Sequence, residues 1–221
     1  MVSSPRCIVV ACLFVTCLIT ANTVAVKLVS LWGLILPAAV IIFPLSYIFG
    51  DILTEVYGYR QARRVIWLGF LCNLLFVVMA YVGQVLPAAS TWEGQQAYER
   101  ILGYTPRLLA ASFVAYLVGE FSNSFILAKM KLATRGRWLW TRTIGSTIVG
   151  QGLDSVVFLT LAFVGTPWFV PMSIVHHWLV KSGIEAVATP LTYRVVDYLK
   201  RKEGIDTFDY DTRFNPLLIA D

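Results

Sequence analysis

The sequence predicts an all-α membrane protein whose helices cross the bilayer several times. Of its 221 residues, 57% are hydrophobic and 14% are charged, and the mean hydropathy is +0.70. One soluble core of this length needs far less apolar surface. The apolar residues also form long runs, whereas a transmembrane β-barrel would show short segments of alternating hydrophobicity. We therefore expect one transmembrane domain over residues 1–221.

Six windows are long enough to cross the membrane, because a spanning helix needs about 20 mainly apolar residues. They are residues 7–28, 32–57, 62–86, 107–130, 141–165 and 172–199. The first could instead be a cleaved signal peptide, but Arg6 is the only cation before it and the sequence at 21–23 is a weak cleavage match. The six windows could form two inverted halves of three helices.

The positions of the cations predict the orientation. Basic residues follow the second, fourth and sixth windows, namely Arg60, Arg63 and Arg64, then Lys131, Arg135 and Arg137, then Lys200, Arg201 and Lys202. Loops rich in Lys and Arg are retained in the cytoplasm. Both termini are therefore expected there, with residues 200–221 as a cytoplasmic tail. These clusters account for the net charge of +5, so no nucleic-acid partner is expected beside the lipid bilayer.

Four windows carry charged or amide side chains at depth, and they recur at helical spacing. The polar residues are Asp51 and Glu55 in the second, Glu120 and Asn123 in the fourth, Gln151 and Asp154 in the fifth, and Lys181 and Glu185 in the sixth. A charge at the bilayer centre costs at least about 2.5–3.5 kcal/mol on insertion scales. We therefore expect these stripes to face one another around a polar cavity.

Some of these charges could have a purely structural role. Lys181 and Glu185 lie four residues apart on one helix and could pair, and Glu55 could meet Arg60 or Arg63. The two histidines and several tryptophans are expected at the membrane interface, namely His176, His177, Trp32, Trp92, Trp168 and Trp178. The four cysteines show no pairing or metal-ligand spacing, so neither a metal nor a cofactor is expected.

Three classes of function remain in comparison. Polar groups from several helices near the midplane are typical of a transporter. An intramembrane aspartyl enzyme would need Asp51 and Asp154 to share a proton, and residues 150–154 depart by one insertion from the glycine-rich motif of such proteases. A substrate-binding subunit that works with a separate ATPase is the third class, since residues 145–151 lack the lysine of a phosphate-binding loop. We expect a transporter and no enzyme.

The second window carries a pattern that is specific to one family. Phe43-Pro44, Asp51, Thr54-Glu55, Tyr57-Gly58 and Arg63-Arg64, in this order and spacing, resemble the signature of the queuosine precursor transporter family, formerly described as vitamin uptake transporters. Similar positions elsewhere are Asn22, Ser112, Tyr116, Ser146, Gln151, Asp154, Phe158, Lys181 and Pro190. Residues 210–216 also resemble the ending of many members, so the resemblance covers nearly the whole chain.

This resemblance implies uptake of a 7-deazaguanine base, the 7-cyano or 7-aminomethyl precursor of the tRNA nucleoside queuosine, across the cytoplasmic (inner) membrane of a prokaryote. Other members also carry glutamine and aspartate at the positions of Glu120 and Asn123. The carboxylate that reads the base therefore stays open between Asp154 and Glu120. A homodimer, the energy source and the nitrile or amine form of the base stay open as well.

The chemistry of a guanine-like base suits these side chains. One carboxylate can accept its ring N–H and amino group together, an amide can meet the neighbouring carbonyl, and aromatic rings can stack on the base. The candidate substrate-binding residues are Glu120, Asp154, Gln151, Asn123, Tyr116, Phe158, Lys181 and Asn22. The candidate gate or coupling residues are Asp51, Glu55, Arg63, Arg64 and Glu185, with Asp51 and Glu55 expected to pair with the arginine cluster.

Overall fold

Helices form most of the chain in the computed structural model, which describes residues 4–31, 34–103, 106–167 and 169–218. The helices are α1 (Pro5–Val24), α2 (Ala39–Ile52), α3 (Tyr59–Val85), α4 (Gln95–Leu102), α5 (Pro106–Ala133), α6 (Leu139–Phe163) and α7 (Pro171–Glu203). A π-helical turn, Leu53–Tyr57, continues α2. Trp32 and Trp168, two expected interface residues, lie outside the described residues.

Five of the described segments are long and apolar enough to cross a membrane, which confirms the all-α polytopic class. They are Pro5–Val24, Ala39–Tyr57, Tyr59–Val85, Gln95–Ala133 and Leu139–Phe163. The sixth window lies within α7, whose 33 residues are about 50 Å long at 1.5 Å per residue. Its charged side chains make α7 more polar than the other five, so the sixth crossing stays a prediction.

The boundary between the first two windows differs from the sequence prediction. The strands β1 (Leu28–Leu31) and β2 (Leu34–Pro37) form an antiparallel hairpin, with Leu28 opposite Pro37. Helix α1 therefore ends four residues before position 28, and α2 begins after Pro37 rather than at position 32. A short apolar run of this kind has no periodicity that separates strand from helix. Between the third and fourth windows, which end at 86 and begin at 107, the chain forms the amphipathic helix α4.

The long helices alternate in direction and define two ends of the bundle. The termini end holds the start of α1 and the end of α7, where Ser4 Oγ donates to Glu203 over 2.7 Å. The hairpin end holds β1, β2 and the starts of α5 and α7. The proposed inverted relation of the two three-helix halves stays a prediction.

The residues after α7 pack across the termini end. Gly58, with φ +85°, turns the chain between the π-helical turn and α3. Both carboxylate oxygens of Asp209 accept from the Tyr59 N–H, at 3.1 and 3.0 Å, and so satisfy a backbone donor at the start of α3. Arg63 donates to the carbonyl oxygens of Arg213 and Asn215, each over 2.9 Å.

Glycines let α5 and α6 approach closely at the level of the polar stripes. A Cβ at Gly119 would lie 2.9 Å from the Asp154 Cβ, and a Cβ at Gly150 would lie 2.7 Å from the Asn123 Cβ. Small residues at such crossings allow backbones in membranes to pack by van der Waals contact. The close crossing brings the polar stripe of α6 against that of α5.

Candidate substrate site

A small polar cavity lies between α1, α2, α5, α6 and α7, on the hairpin side of the bundle centre. Its volume is about 70 Å³. Four of the predicted substrate-binding residues line it, namely Asn22, Asp154, Phe158 and Lys181. Phe43, Ser112 and His177 line it as well.

An ion pair lies in the wall of this cavity. Lys181 Nζ donates to Asp154 Oδ2 over 2.6 Å, and both side chains are 3% exposed. The ammonium also lies 4.0 Å from the centre of the Phe43 ring. Lys181 therefore pairs across helices with Asp154 and not with Glu185 on its own helix. Removing one member of such a buried pair leaves an uncompensated charge, which costs about 3–5 kcal/mol.

A larger vestibule of about 430 Å³ adjoins the cavity at the hairpin end. Phe158 and His177 line both spaces. Val26, Leu28 and Val170 line the vestibule and are exposed, so it opens at the protein surface. Together the two spaces form a path from that end to the Asp154–Lys181 pair.

His177 occupies a different environment from the interface position that the sequence suggested. It is 8% exposed, and its Nδ1 lies 3.4 Å from Ser155 Oγ. The imidazole therefore belongs to the cavity wall. The part of the chain described here holds no group of three His, Cys, Asp or Glu side chains that could bind a metal ion.

A second polar layer lies nearer the termini end, and we call Asp51, Glu120, Asn123, Gln151 and Glu185 the carboxylate layer. Asn123 donates to Asp51 over 2.7 Å, and Gln151 donates to Glu185 over 3.1 Å. Thr147 also donates to Glu185. Neither oxygen of Glu120 has a hydrogen-bond partner among the described residues. Three predicted substrate ligands, Glu120, Asn123 and Gln151, thus lie outside the cavity lining.

Two further predicted ligands make contacts between helices. Tyr116 Oη donates to the Ile66 carbonyl oxygen on α3 over 2.8 Å and is absent from the cavity lining. Asn22 remains in the lining, where its amide nitrogen donates to Asn73 over 3.0 Å. Ser112 Oγ approaches the Asn22 oxygen at 3.5 Å. The α1 side of the cavity is therefore a hydrogen-bonded wall.

The termini end is closed by a group that we call the ion cluster, consisting of Glu55, Lys131, Arg142, Lys200 and Asp206. Glu55 Oε1 lies 2.8 Å from Arg142, 2.6 Å from Lys200 and 3.6 Å from Lys131. These cations come from α5, α6 and α7, so Glu55 ties the π-helical turn to three helices. The expected pairing of Glu55 with the arginines after the second window is not the arrangement found.

The tail adds Asp206 to the ion cluster. Partial burial raises the pKa of this carboxyl group, but hydrogen bonds from Lys131 and Lys200 outweigh that effect, so its pKa lies below the ordinary value. A lowered carboxyl pKa stabilises the fold above the pKa of the unfolded chain. That contribution is lost as the pH falls through the pKa of the folded protein.

The two arginines expected at the gate have other surroundings. Arg63 is 1% exposed and binds the tail, as described above. Arg64 lines a groove between α1 and α3. Asp51 and Asp154, the candidate protease dyad, bind Asn123 and Lys181 respectively. A shared proton would require the two carboxylates to lie about 3 Å apart and to bind each other.

Sequence reasoning missed the partners of Glu55. The sequence presents Lys131 and Lys200 as orientation signals, yet Lys131 is 1% exposed. Arg142 is also 1% exposed and falls inside the window 141–165. A cation within a predicted span requires a partner, and this was the available signal for a buried ion pair.

Comparisons with known proteins identify the family. Residues 37–195 match the family described as "Putative vitamin uptake transporter". The chain is 31% identical over 180 residues to the "Probable queuosine precursor transporter" of Bacillus subtilis, which covers 79% of this chain and 78% of the relative. It is 27% identical over 169 residues to the "Queuosine precursor transporter" of Escherichia coli, covering 76% and 72% of the two chains.

A relative in Haemophilus influenzae named "Probable queuosine precursor transporter" is 26% identical over 134 residues, which cover 61% of this chain and 52% of that protein. No solved structure is detectably similar. The family match covers well over half of the chain and includes α2 and α6, which contribute to the cavity and to the carboxylate layer, and the π-helical turn, which carries Glu55 of the ion cluster. The chain therefore belongs to the queuosine precursor transporter family of multi-pass membrane transporters.

Proposed function

We propose that the protein imports a queuosine precursor, a 7-deazaguanine base in its 7-cyano or 7-aminomethyl form, across the inner membrane of a prokaryote. The names of the relatives supply the substrate class. The observation that carries the proposal is the membrane-buried Asp154–Lys181 pair in the cavity wall, beneath a mainly apolar vestibule.

The side chains at this pair suit the edge of a guanine-like base. Asp154 can accept the ring N–H and the exocyclic amino group side by side, while Lys181 can donate to the neighbouring carbonyl oxygen. Phe43 and Phe158 border the cavity and offer apolar faces for the flat ring. Glu120 has no place in the cavity lining, so the geometry favours Asp154 as the carboxylate that reads the base.

The dimensions indicate where the base would bind. Pockets for small ligands have volumes of about 300–1,000 Å³. The cavity of about 70 Å³ is too small alone, whereas the vestibule of about 430 Å³ falls in that range. A base would therefore lie at their junction, beside Phe158 and His177, with its polar edge toward Asp154.

The cation distribution supports one orientation of the protein in the membrane. With both termini in the cytoplasm, the vestibule opens to the outside and the ion cluster closes the inside. Asp51, Glu55 and Glu185 lie between the cavity and the inner surface, which suits a role in the inner gate. Import then requires the ion cluster to open after the vestibule has closed over the base.

Binding by the purified protein tests the proposal. A ligand that binds only the folded protein raises its unfolding temperature. We expect 7-cyano-7-deazaguanine or its aminomethyl analogue to do so, and expect guanine and biotin to do so less. Asp154→Asn should abolish the shift, while the exposed Glu93→Gln should keep it. Absence of a shift with both deazaguanines, or an unchanged shift in Asp154→Asn, would contradict the proposed site.

A subunit that depends on a separate ATPase is the second candidate function, since the sequence contains no phosphate-binding loop. Reconstitution separates the two cases. Uptake of labelled base by liposomes that contain only this chain would exclude an obligatory ATPase. Binding without uptake, restored by membrane extract and ATP, would favour the second function.

A further inference from the structure

Glu120 is the buried carboxylate that substrate recognition leaves unexplained. Its side chain is 0% exposed, near the middle of α5, and both of its oxygens are unpartnered within the described ranges. A Cβ at Gly50 on α2 would lie 3.0 Å from Glu120 Oε2, so this carboxylate packs close to the α2 backbone. A lone ionised carboxylate in such surroundings costs far more than a neutral one.

Two unpartnered amide oxygens in the carboxylate layer are also acceptors. The Asn123 amide nitrogen donates to Asp51, which leaves the Asn123 oxygen without a donor. The Gln151 nitrogen donates to Glu185, which likewise leaves the Gln151 oxygen without one. The hydroxyl groups of Tyr47 and Ser124 are also buried without a partner, so neither these amides nor these hydroxyls donate to Glu120 in this structure. A proton or a cation is therefore needed to compensate this carboxylate.

None of the charged side chains around Glu120 compensates its negative charge. The titratable groups that face it are Tyr47 and Asp51 from α2, Tyr116 from α5, Asp154 from α6, and Lys181 and Glu185 from α7. Lys181 is the single cation in this set and already binds Asp154 over 2.6 Å. The cations of the ion cluster bind Glu55 and Asp206 instead.

We propose that Glu120 binds the proton that couples import of the base to the transmembrane proton gradient. This inference rests on the proposed function and names its energy source. A metal ion is a poorer candidate, because the described residues contain no set of His, Cys, Asp and Glu ligands for one. Asp51 and Glu185 already accept hydrogen bonds from Asn123, Thr147 and Gln151.

The arrangement of Lys181 gives a coupled cycle. While Lys181 is held by Asp154 and then by the base, Glu120 is uncompensated and keeps a proton taken from the outside. After the base leaves on the inside, Lys181 is free to approach Glu120, which releases its proton to the cytoplasm. The empty protein then returns with Lys181 shared between the two carboxylates. One proton enters with each base.

Reconstituted liposomes provide the test. An inward proton gradient of about one pH unit supports about tenfold accumulation of labelled 7-cyano-7-deazaguanine at one proton per base. A protonophore should abolish it. Glu120→Gln resembles the protonated side chain in shape and charge. It should retain the ligand-induced rise in unfolding temperature and downhill equilibration, but should lose the gradient-driven accumulation. Glu93→Gln in the exposed loop before α4 is the control.

Several outcomes would overturn the inference. The first is gradient-driven accumulation by Glu120→Gln equal to that of the unmodified protein. The second is uptake whose extent does not change with the proton gradient. The third is uptake driven by a sodium gradient instead. The infrared C=O stretch of a protonated carboxyl group is a readout that needs no substrate. At neutral pH it should be present in the unmodified protein and lost in Glu120→Gln. Its absence would overturn the proton site, whereas its presence without any deazaguanine binding would refute only the proposed substrate.

Discussion

At the scale of single residues, the cavity depends on one cross-helix ion pair. Lys181 and Asp154 lie on α7 and α6, and the Phe43 ring of α2 lies beside the ammonium. The pair therefore joins three helices and also presents a donor and an acceptor to the cavity. Structural and functional roles can be separated because an isosteric neutral pair would keep the packing and lose the charges.

We predict that Lys181→Met and Asp154→Asn are each strongly destabilising, by about 3–5 kcal/mol, because each leaves its partner buried and unpaired. The double variant should recover most of that loss without recovering ligand binding. Thermal unfolding with and without the base measures both effects. Equal losses in the single and double variants would show that the pair contributes through shape alone.

At the scale of elements, the site depends on the close crossing of α5 and α6. Gly119 and Gly150 face each other there, and a Cβ at Gly119 would overlap the Tyr47 hydroxyl of α2. A side chain at this position would therefore displace α2 and Asp154 together. The crossing thus sets the positions of Asp154 in the cavity and of Glu120 and Asn123 in the carboxylate layer relative to each other.

Gly119→Ala should consequently destabilise the protein by about 1–3 kcal/mol, the usual cost of overpacking, and should weaken ligand binding. Gly183→Ala on α7 is the matched control, because no atom lies within 4 Å of the added methyl group. Unfolding temperatures and ligand-induced shifts of the two variants make the comparison. An unchanged unfolding temperature of Gly119→Ala would mean that α5 and α6 can separate without a loss of stability.

The tail contributes a second contact between elements. Asp209, 3% exposed, accepts from the first N–H of α3. Asp209→Ala should cost about 1 kcal/mol, as the loss of a helix cap does, and should loosen the residues after α7. Asp211→Ala, at an exposed position, is the control. Limited proteolysis should cleave the tail of the Asp209 variant sooner, and identical cleavage rates would contradict the capping role.

At the scale of the whole molecule, the polar groups form three successive levels between the two ends. The cavity lies toward the hairpin end, the carboxylate layer is next, and the ion cluster closes the termini end. Since the vestibule opens at the hairpin end, the structure corresponds to a transporter that is accessible from one side. Import requires that the open hairpin end face the outside of the cell.

Reporter fusions test that orientation. A fluorescent protein that matures only in the cytoplasm should be active at both termini, whereas a periplasmic phosphatase inserted near residue 90 should be active in the loop before α4. The even number of crossings that includes α7 requires this result. Phosphatase activity at the C-terminus would show that α7 does not return to the inner side.

The sequence determined the class, the helices and the identity of most polar residues. Runs of apolar residues are local, so their length predicts the long helices without knowledge of packing. The cost of a buried charge likewise singled out Asp51, Glu55, Glu120, Asp154, Lys181 and Glu185. Hydrophobicity alone could not separate the hairpin at 28–37 from helix, because a short apolar run suits both.

Only the tertiary structure decided which charges pair. Partners such as Lys181 and Asp154, or Glu55 and Arg142, are 27 and 87 positions apart in the chain. Their meeting depends on how α5, α6 and α7 cross, which no local pattern encodes. The same geometry placed Asp154 in the cavity and Glu120 behind it. The sequence therefore identified the buried groups, and the crossing of the helices assigned them to separate levels.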